Sequence, residues 1–595
     1  MDLQEGELTE IRDCRPSQQH LISSYFKGYS KEPLRNETIV ELLAESCDGD
    51  PERIVYKIPE FGQLMTARQL KSKSDEVSKG LLGLGVTKGD VVMVTGVVSE
   101  DFFALFHGVV GIGAIFFNNY LFPPRNQSLL SILDQVQPKV FIYFCKEEDD
   151  PVMTTLRTLC ISSIPSCYKP SQIIIYSETY QSTDEKMKLS SWLTFQDFIN
   201  KNTPIDDACL AAVKKSVVPN DTAYILSSSG TTGDVRLSCI SHYTLVNYSL
   251  FCEFRRNPFN KHQIVAFLNP NADDLLAVFE SCVVLAFWRE KMVGVFLPSS
   301  ANFGAGSSDV IMKIIEDMRI TTLQTYPAWL YYIYINSNRT KYDLSSLRSG
   351  MIASQAVSTE MKQWFGKNHT EYISAYGLTE FLAGVVTSPA FSTFDKYLRT
   401  SGYPISHTEC KLVDDTGNIV PIGSIGEILL KGWSMTIGYY NVNGEPTPVG
   451  DAAGWFHTGD VGTMDETGHV TIIGRKADAI RFKHYGDVVY PQVIENVAHQ
   501  HSDVKEAIVV GIASDFEGDI ICLCVSLKQD EGQVSGEELL SFCDEQLTER
   551  NCPDYCFVFD NLAKVGSRRK ISRALVLEVA KERLEQMGEN KRDRL

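Results

Sequence analysis

Short apolar runs alternate with helix-length segments through the first part of the chain. Residues 91–95, 140–144 and 173–176 are apolar and bounded by turn residues, a pattern typical of strands buried on both faces. Residues 67–84 have the spacing of an amphipathic helix, and the strongly apolar residues 102–117 predict a buried helix that leads into a strand. This alternation predicts an α/β fold in which helices cover both faces of the sheets.

The pattern changes toward the C-terminus. Residues 426–440 predict a small β-rich subdomain that leads to a turn at residues 458–460. Strand-like runs at 507–511 and 520–526, with a helix at 536–550, predict a small α+β unit. We therefore predict a large N-terminal domain, residues 1–475, with doubly covered sheets and a β-rich subdomain, followed by an α+β C-terminal domain, residues 476–595.

The amino-acid composition indicates which classes of binding partner suit this chain. A chain of 595 residues with 44% apolar and 22% charged residues is globular and long enough for two or more domains. Its net charge of -19 argues against nucleic acid or an anionic membrane as the main partner, because both attract clustered Lys and Arg. An anionic substrate must therefore be held by local positive charges.

The cysteines and the first residues bear on the compartment. Fifteen cysteines occur without a C-x-x-C pair, which favours reduced thiols. The N-terminus is acidic, with Asp2, Glu5 and Glu7, and no apolar core of a signal peptide follows. No run is long enough for a transmembrane helix. We expect a cytoplasmic protein.

A loop of small hydroxyl residues and glycines follows the apolar run that begins at Tyr224. The sequence is Tyr224-Ile-Leu-Ser-Ser-Ser-Gly-Thr-Thr-Gly-Asp-Val-Arg236, and no Gly-Lys-[Ser/Thr] of a Walker A motif is present. Hydroxyls and exposed amides bind anionic oxygens, and Arg236 adds a fixed charge. The segment predicts a phosphate site; an ordinary Ser/Gly surface loop is the alternative. A helix at residues 241–254 is expected to point its N-terminus at the phosphates.

Two further segments carry candidate binding residues. Tyr376-Gly-Leu-Thr-Glu380 combines an aromatic ring that can stack on a purine with a carboxylate that can hold Mg²⁺. On its own, such a segment is more often a helix start. Asp460, in a Gly-Asp pair, can accept hydrogen bonds from two ribose hydroxyls, although a turn or capping role is the simpler interpretation of such a pair.

Taken together, the motifs resemble those of the adenylate-forming superfamily, which includes acyl-CoA synthetases, peptide-synthetase adenylation domains and beetle luciferases. The resemblance covers nearly the whole chain and is closest to the medium-chain acyl-CoA ligase branch through Ser24-Tyr-Phe-Lys-Gly and Pro33-Leu-Arg35. The motifs that carry it, in family order, are Ser229-Gly-Thr-Thr-Gly233 with His242, Tyr376-Gly-Leu-Thr-Glu380, Gly438-Tyr-Tyr440, Gly454-Trp-Phe-His-Thr-Gly-Asp460, Gly474-Arg475 and Arg569-Lys570-Ile571-Ser572-Arg573.

The resemblance implies an AMP-forming acid:CoA ligase that uses ATP, Mg²⁺ and CoA and activates a small-molecule carboxylic acid. It implies that Lys570, Thr379, Glu380 and Arg236 act in catalysis, with Glu380 on Mg²⁺ and Lys570 between the acid and the α-phosphate. It also implies a mobile C-terminal domain that swings about the position of Ala477. The residues it assigns to nucleotide binding are Ser228, Ser229, Gly230, Thr231, Thr232, Gly233, Tyr376, Gly377, Asp460 and Arg475.

Three departures from the family pattern keep a second hypothesis open. Val235-Arg236-Leu237 replaces Pro-Lys-Gly, Ala477 replaces the usual hinge Asp or Lys, and the acyl-gate histidine is missing from Ala266-Phe-Leu-Asn-Pro-Asn271. The alternative is a catalytically weakened protein of the same fold that binds nucleotide or acyl groups. The branch also implies mitochondria as a second possible location. Acyl-chain length and oligomeric state stay open.

Overall fold

The computed structural model describes residues 21–58, 62–96, 100–118, 126–144, 153, 156, 168–176, 192–200, 205–229, 235–256, 263–267, 292–296, 305–325, 333, 336–347, 349–353, 371–382, 384–387, 401–481, 488–513, 519–528, 534–547, 551–560, 562 and 573–592. None of the helices within these ranges has the length and apolar character needed to cross a bilayer. The α-helices are α1 (Ile39–Gly49), α2 (Ala67–Gly83), α3 (Glu100–Gly111), α4 (Asn126–Val136), α5 (Phe195–Asn200), α6 (Asp207–Lys215), α7 (His242–Arg256), α8 (Ala305–Met318), α9 (Pro491–Ala498), α10 (Gly536–Gln546) and α11 (Arg573–Arg592).

An eight-stranded sheet forms the first layer. Alternate residues of its central strand, Val91–Gly96, enter two different hydrophobic cores. Val92 and Val94 pack in the core that contains α2 and α3, whereas Val91 and Met93 pack in the core that contains α4. Both faces are therefore covered, as predicted. In spatial order the strands are β20 (Gly438–Tyr439), β10 (Val235–Ser241), β9 (Thr222–Ser229), β5 (Ile115–Asn118), β4 (Val91–Gly96), β6 (Val140–Phe144), β7 (Gln172–Tyr176) and β8 (Trp192–Thr194).

Local sequence explains the helices of this layer. Thr66 caps α2 in a capping box, in which its hydroxyl accepts from the backbone N–H of Gln69 and the Gln69 side chain accepts from the backbone N–H of Thr66. The predicted helix at 67–84 is confirmed. The apolar segment 102–117 also divides as predicted, into the buried helix α3 and the strand β5.

A nine-stranded sheet, parallel at its centre, forms the second large layer. Its strand β15 ends at Tyr376, so the segment that follows emerges at the carboxyl edge of the parallel strands, where ligands bind in open α/β sheets. The strands are, in spatial order, β17 (Tyr403–Pro404), β16 (Val386–Thr387), β15 (Glu371–Tyr376), β14 (Ser349–Ala353), β13 (Thr322–Thr325), β11 (Gln263–Phe267), β12 (Met292–Phe296), β2 (Ile54–Ile58) and β3 (Gln63–Thr66).

The β-rich subdomain is a five-stranded antiparallel sheet, and it differs from the prediction in two places. Residues 438–439 do not belong to it, because Tyr439 pairs with Ser238 at the edge of the eight-stranded sheet. Residues 458–460 are not a turn but lie within a strand, where the positive φ of 69° at Gly459 accompanies a break in register. Its strands are β1 (Tyr25–Lys27), β18 (Thr408–Val413), β19 (Gly426–Gly432), β21 (Phe456–Met464) and β22 (Val470–Arg475).

The C-terminal part is an α+β unit with its own cores. Ile472 packs against the core of the β-rich sheet, whereas Ile480 belongs to the core that contains α9 and α10. This separation agrees with a domain boundary after Arg475, which stays a prediction. A pair of short strands, β23 (Ile480–Arg481) and β24 (Val488–Val489), precedes the sheet of β25 (Val504–Ile512), β26 (Ile520–Leu527) and β27 (Tyr555–Phe559).

Candidate active site

The candidate site is organised around residues 376–380, which leave β15 and enter a short 3₁₀ helix, Thr379–Phe381. The backbone N–H of Leu382 donates to the Thr379 carbonyl, which fixes the turn. Glu380 is buried, with 7% of its surface exposed. Tyr376 and Glu380 therefore stand four positions apart on one ordered segment, and each contacts a different group of polar residues.

The first polar group joins Tyr376, Asp460 and Arg475. The Tyr376 hydroxyl donates to Asp460 Oδ2 at 2.5 Å, and Arg475 Nε lies 2.8 Å from Asp460 Oδ1. Asp460 and Arg475 are direct cross-strand partners on β21 and β22, which explains why residues 15 positions apart converge. The backbone N–H of Asp460 donates to the Thr458 hydroxyl at 3.0 Å and holds the irregular strand in shape.

Burial controls the ionisation of this group. Loss of solvation raises the pKa of Asp460, although the Tyr376 hydroxyl and the Arg475 charge oppose the shift. Burial, and then the neighbouring Asp460 charge, raise the pKa of Tyr376 well above its usual range. The Tyr376 hydroxyl therefore stays a donor, and Asp460 is a buried acceptor whose two oxygens are held in fixed directions.

The second polar group joins Arg236, Tyr439 and Glu380. The Tyr439 hydroxyl donates to Glu380 Oε1 at 2.6 Å and accepts from Arg236 Nη1 at 3.4 Å. The Arg236 guanidinium also lies over the Tyr439 ring, 5.8 Å from its centroid. Burial and the hydrogen bond to Glu380 raise the pKa of Tyr439 to about 12. A surface cation is thereby connected to a buried carboxylate through one phenol.

The predicted phosphate loop connects two antiparallel strands. Arg236 pairs with Ser228, and Val235 with Ser229, in the β9–β10 ladder. Arg236 is therefore at the end of the hairpin that carries the loop, which is where a phosphate-binding cation is needed. Gly230, Thr231, Thr232 and Gly233 lie outside the described residues, as does Lys570.

The predicted direction of the helix after this hairpin is wrong. Helix α7 begins at His242, after the seven residues of β10, so its N-terminus is about 20 Å from the loop at ordinary strand rise. Its first N–H groups donate to the carbonyls of Asp221 and Pro219 instead. The helix dipole therefore does not face the loop.

His242 has a structural position. Its Nδ1 accepts from the backbone N–H of Ile39 at 3.3 Å, at the first residue of α1. Complete burial lowers the pKa of His242 to about 4, so the neutral ring is the stable form. The histidine joins α1 to the end of β10 and lies away from the two polar groups of the site.

Ion pairs flank Ala477, the residue expected at the hinge. On one side, Lys476 Nζ lies 2.9 Å from Glu427 Oε2 and 3.0 Å from Asp415 Oδ1, both in the β-rich region. On the other side, Asp478 Oδ2 lies 3.4 Å from Nε of Arg573, which begins α11. The residues before and after Ala477 are thus tied to different parts of the molecule.

The structure therefore brings most of the described candidates together. Tyr376, Gly377, Thr379 and Glu380 share one segment, and Asp460, Arg475 and Arg236 contact it directly or through one side chain. Sequence reasoning assigned no role to Tyr439, which links Arg236 to Glu380. The sequence signal for Tyr439 is its place in the motif Gly438-Tyr-Tyr440. The motif alone does not predict its contacts with Arg236 and Glu380.

Glu380 suits Mg²⁺ held jointly with a nucleotide. In the described part of the chain there is no group of three or more His, Cys, Asp or Glu that could hold a metal. Tyr439 donates to Oε1 of Glu380 and leaves Oε2 outside this contact. Mg²⁺ is commonly held by one or two carboxylates together with substrate phosphates and water. A single oriented carboxylate that Tyr439 joins to Arg236 fits that arrangement.

The chain belongs to the AMP-binding enzyme family, whose model matches residues 43–440. The model of the AMP-binding enzyme C-terminal domain matches residues 493–569. The acyl-CoA ligase sidI of Aspergillus fumigatus is 27% identical over 565 residues, 92% of this chain and 91% of that protein. The mitochondrial medium-chain acyl-CoA ligase ACSF2 of Bos taurus is 25% identical over 572 residues, 90% of this chain and 87% of that protein.

Solved structures agree on the fold. The anthranilate CoA ligase AuaEII, solved in complex with anthranoyl-AMP, superposes with a TM-score of 0.74 at 21% identity, over 92% of this chain and 98% of that one. The predictions of an adenylate-forming family, of an enzyme and of the α/β fold class are confirmed by these matches.

We expect Asp460→Asn to weaken ATP binding about 10- to 100-fold. The variant loses the negative charge that would accept from the ribose hydroxyls, and hydrogen bonds to a charged acceptor contribute about 1.5–3 kcal/mol each. Isothermal titration should also show that the wild type prefers ATP to 2′,3′-dideoxy-ATP and that Asp460→Asn loses most of this preference. Asp465→Asn, in the turn after β21, is the control. A variant that keeps the full preference for the ribose hydroxyls would show that Asp460 does not contact them.

Proposed function

We propose that this enzyme is an ATP-dependent acid:CoA ligase that activates a medium-chain fatty acid. In the first half-reaction the fatty-acid carboxylate attacks the α-phosphate of ATP, forming an acyl-adenylate and releasing pyrophosphate. In the second, the CoA thiol attacks the acyl carbon and AMP leaves with the electron pair of the broken anhydride bond. Chain length is inferred from the branch resemblance and from relatives such as ACSF2 at about 25% identity.

The observation that carries the proposal is the meeting of both polar groups on residues 376–380. Tyr376 contacts the Asp460–Arg475 pair, and Glu380 contacts the Tyr439–Arg236 pair. A nucleoside bound by the first group would extend its phosphates along this segment toward the second. The order of the two groups therefore matches the order of ribose and phosphates in ATP.

Each residue then has a role that positioning and electrostatics can explain. Asp460 accepts from the ribose hydroxyls while Arg475 and Tyr376 hold it in place. Arg236, with Ser228 to Gly233, neutralises the β- and γ-phosphates. Glu380 would hold Mg²⁺, which supplies charge neutralisation at the phosphates when bound.

The second half of the catalytic assignment rests on the resemblance. Lys570 would stabilise the charge that develops between the acid and the α-phosphate, and the C-terminal domain would rotate near Ala477 before CoA attacks. The ion pairs of Lys476 and Asp478 support Ala477 as the pivot, since they hold the residues on either side of it.

Pyrophosphate release across a panel of short, medium, long and aromatic acids, with and without CoA, tests the proposal. We expect release to be greatest with medium-chain acids, with acyl-CoA and AMP formed when CoA is present. Lys570→Ala should lower the rate about 10²- to 10³-fold, the usual loss when one transition-state donor is removed. Lys581→Ala, exposed on α11, is the matched control and should keep the wild-type rate.

Two results would contradict the proposal differently. If ATP binds but no acid releases pyrophosphate above the Lys570→Ala level, the protein is a nucleotide-binding member of the family with little turnover. If a long-chain or aromatic acid is the best substrate, the ligase assignment stands and the chain-length assignment is wrong.

A further inference from the structure

Tyr439 is held in place by two other parts of the fold, the segment at Thr447 and strand β10. Its backbone N–H and carbonyl form a reciprocal pair of 2.8 Å hydrogen bonds with Thr447. On its other edge, Tyr439 pairs with Ser238 of β10. A side chain at the preceding Gly438 would meet the Thr447 carbonyl oxygen at 2.7 Å, so glycine is required there. The tyrosine backbone thus has one allowed position.

The residues around Tyr439 also fix Glu380. The backbone N–H of Thr436 donates to the Glu380 carbonyl at 2.6 Å, and the Thr436 hydroxyl donates to the Cys239 carbonyl at 2.6 Å. The segment that carries Tyr439 therefore connects the strand of Arg236 to the helix of Glu380 by one side-chain and one backbone hydrogen bond of Thr436. These hydrogen bonds restrict the movement of Arg236 relative to Glu380.

The hydroxyl completes this connection at the side chains. It donates its proton to Glu380 Oε1 and accepts from Arg236, so both lone-pair and proton directions are defined. A carboxylate held through one oxygen presents the other in a fixed direction. Hydrogen bonds from neighbouring side chains orient metal-ligating carboxylates in this way, and their loss commonly reduces metal affinity 10- to 100-fold.

We propose that Tyr439 is a positioning residue that orients Glu380 toward a divalent cation, so that the cation bound together with ATP enters a preformed site. This inference rests on the proposed function, because it assumes that Glu380 and Arg236 serve Mg²⁺ and ATP. The proposal concerns binding before any chemistry, and binding is therefore the quantity to measure.

The test compares Tyr439→Phe with Tyr440→Phe. Each variant loses one phenol hydroxyl and keeps the ring, but the Tyr440 hydroxyl donates to the Val136 carbonyl at 3.0 Å, outside the two polar groups. ATP affinity is measured by isothermal titration with Mg²⁺ and again with EDTA. We expect Tyr439→Phe to bind ATP about tenfold more weakly than Tyr440→Phe with Mg²⁺, and equally in EDTA.

A titration with Mn²⁺ at fixed ATP gives the second readout. The Mn²⁺ concentration for half-saturation, followed by electron paramagnetic resonance, should rise about tenfold in Tyr439→Phe. Tyr439→Met also lacks the hydroxyl and should show the same rise. It serves as the test variant if Tyr439→Phe does not fold.

The contrary outcomes are distinct. A wild-type protein that binds no Mg-ATP overturns both the proposed function and this role. Wild-type binding with equal Mg-ATP affinity in Tyr439→Phe and Tyr440→Phe overturns the role of Tyr439 alone. An equal tenfold loss with Mg²⁺ and in EDTA also overturns it, because the hydroxyl would then act on the nucleotide and not through the carboxylate.

Discussion

Replacing Glu380 with Gln is expected to lower kcat/KM for ATP about 10²- to 10³-fold in the pyrophosphate-release assay. The amide has the shape of the carboxylate and can still accept from Tyr439, so packing is preserved. What is lost is the buried negative charge that would hold Mg²⁺ against the phosphates. The loss should be accompanied by a higher Mg²⁺ requirement, measured by varying Mg²⁺ at saturating ATP.

The chain contains a well-matched control for this substitution. Glu409 accepts a hydrogen bond from the Tyr25 hydroxyl at 2.6 Å, the same chemistry as the Tyr439–Glu380 contact, in the β-rich sheet. Glu409→Gln should leave kcat/KM unchanged. If Glu380→Gln stays within threefold of Glu409→Gln, Glu380 does not serve the metal, and the phosphate end of the proposed site must be assigned again.

Replacing Arg573 with Ala is expected to destabilise the C-terminal unit by about 3–5 kcal/mol, because it leaves a buried carboxylate without its cation. Arg573 Nη1 lies 2.7 Å from Oε1 of Glu495, and it also donates to the Val509 carbonyl. Only 3% of the Glu495 surface is exposed. Hydrogen–deuterium exchange of β25 should therefore be roughly 10²- to 10⁴-fold faster in the variant.

Two further variants identify the cause. Arg583→Ala removes an arginine from the same helix. The partners of Arg583 are the Val558 carbonyl and the Phe559 ring, which carry no charge, so this variant should accelerate exchange much less. Arg573→Ala combined with Glu495→Gln should restore part of the protection, because the uncompensated charge is gone. Equal exchange in Arg573→Ala and Arg583→Ala would exclude a special contribution from the buried pair.

The sequence was most informative where burial on both faces dictates the residues. The run at 140–144 is observed as β6 with the same bounds, because a strand between two cores must be apolar at every position. The motifs also predicted which residues form one site, because Tyr376, Glu380, Asp460 and Arg475 all belong to motifs of the resemblance. Their contacts in the structure agree with that grouping.

The sequence was least informative where distant pairing overrides local preference. Gly459 and Asp460 have the composition of a turn, yet they lie in β21 because β19 and β22 hydrogen-bond on either side. The contact of Arg236 with Tyr439 spans 203 positions and leaves no trace in local periodicity. The direction of α7 differs from the prediction because the seven residues of β10 separate its N-terminus from the loop.

The late position of β20 in the chain has a consequence for how the protein is made. Strand β10 is synthesised long before Tyr439, and until residues 438–439 arrive its outer edge offers unpaired N–H and C=O groups. Strand β20 then covers the outer edge of β10. Because β20 has only two residues, it is itself too short to pair with another chain. The strand that carries Tyr439 thus both completes the proposed phosphate site and covers an exposed sheet edge.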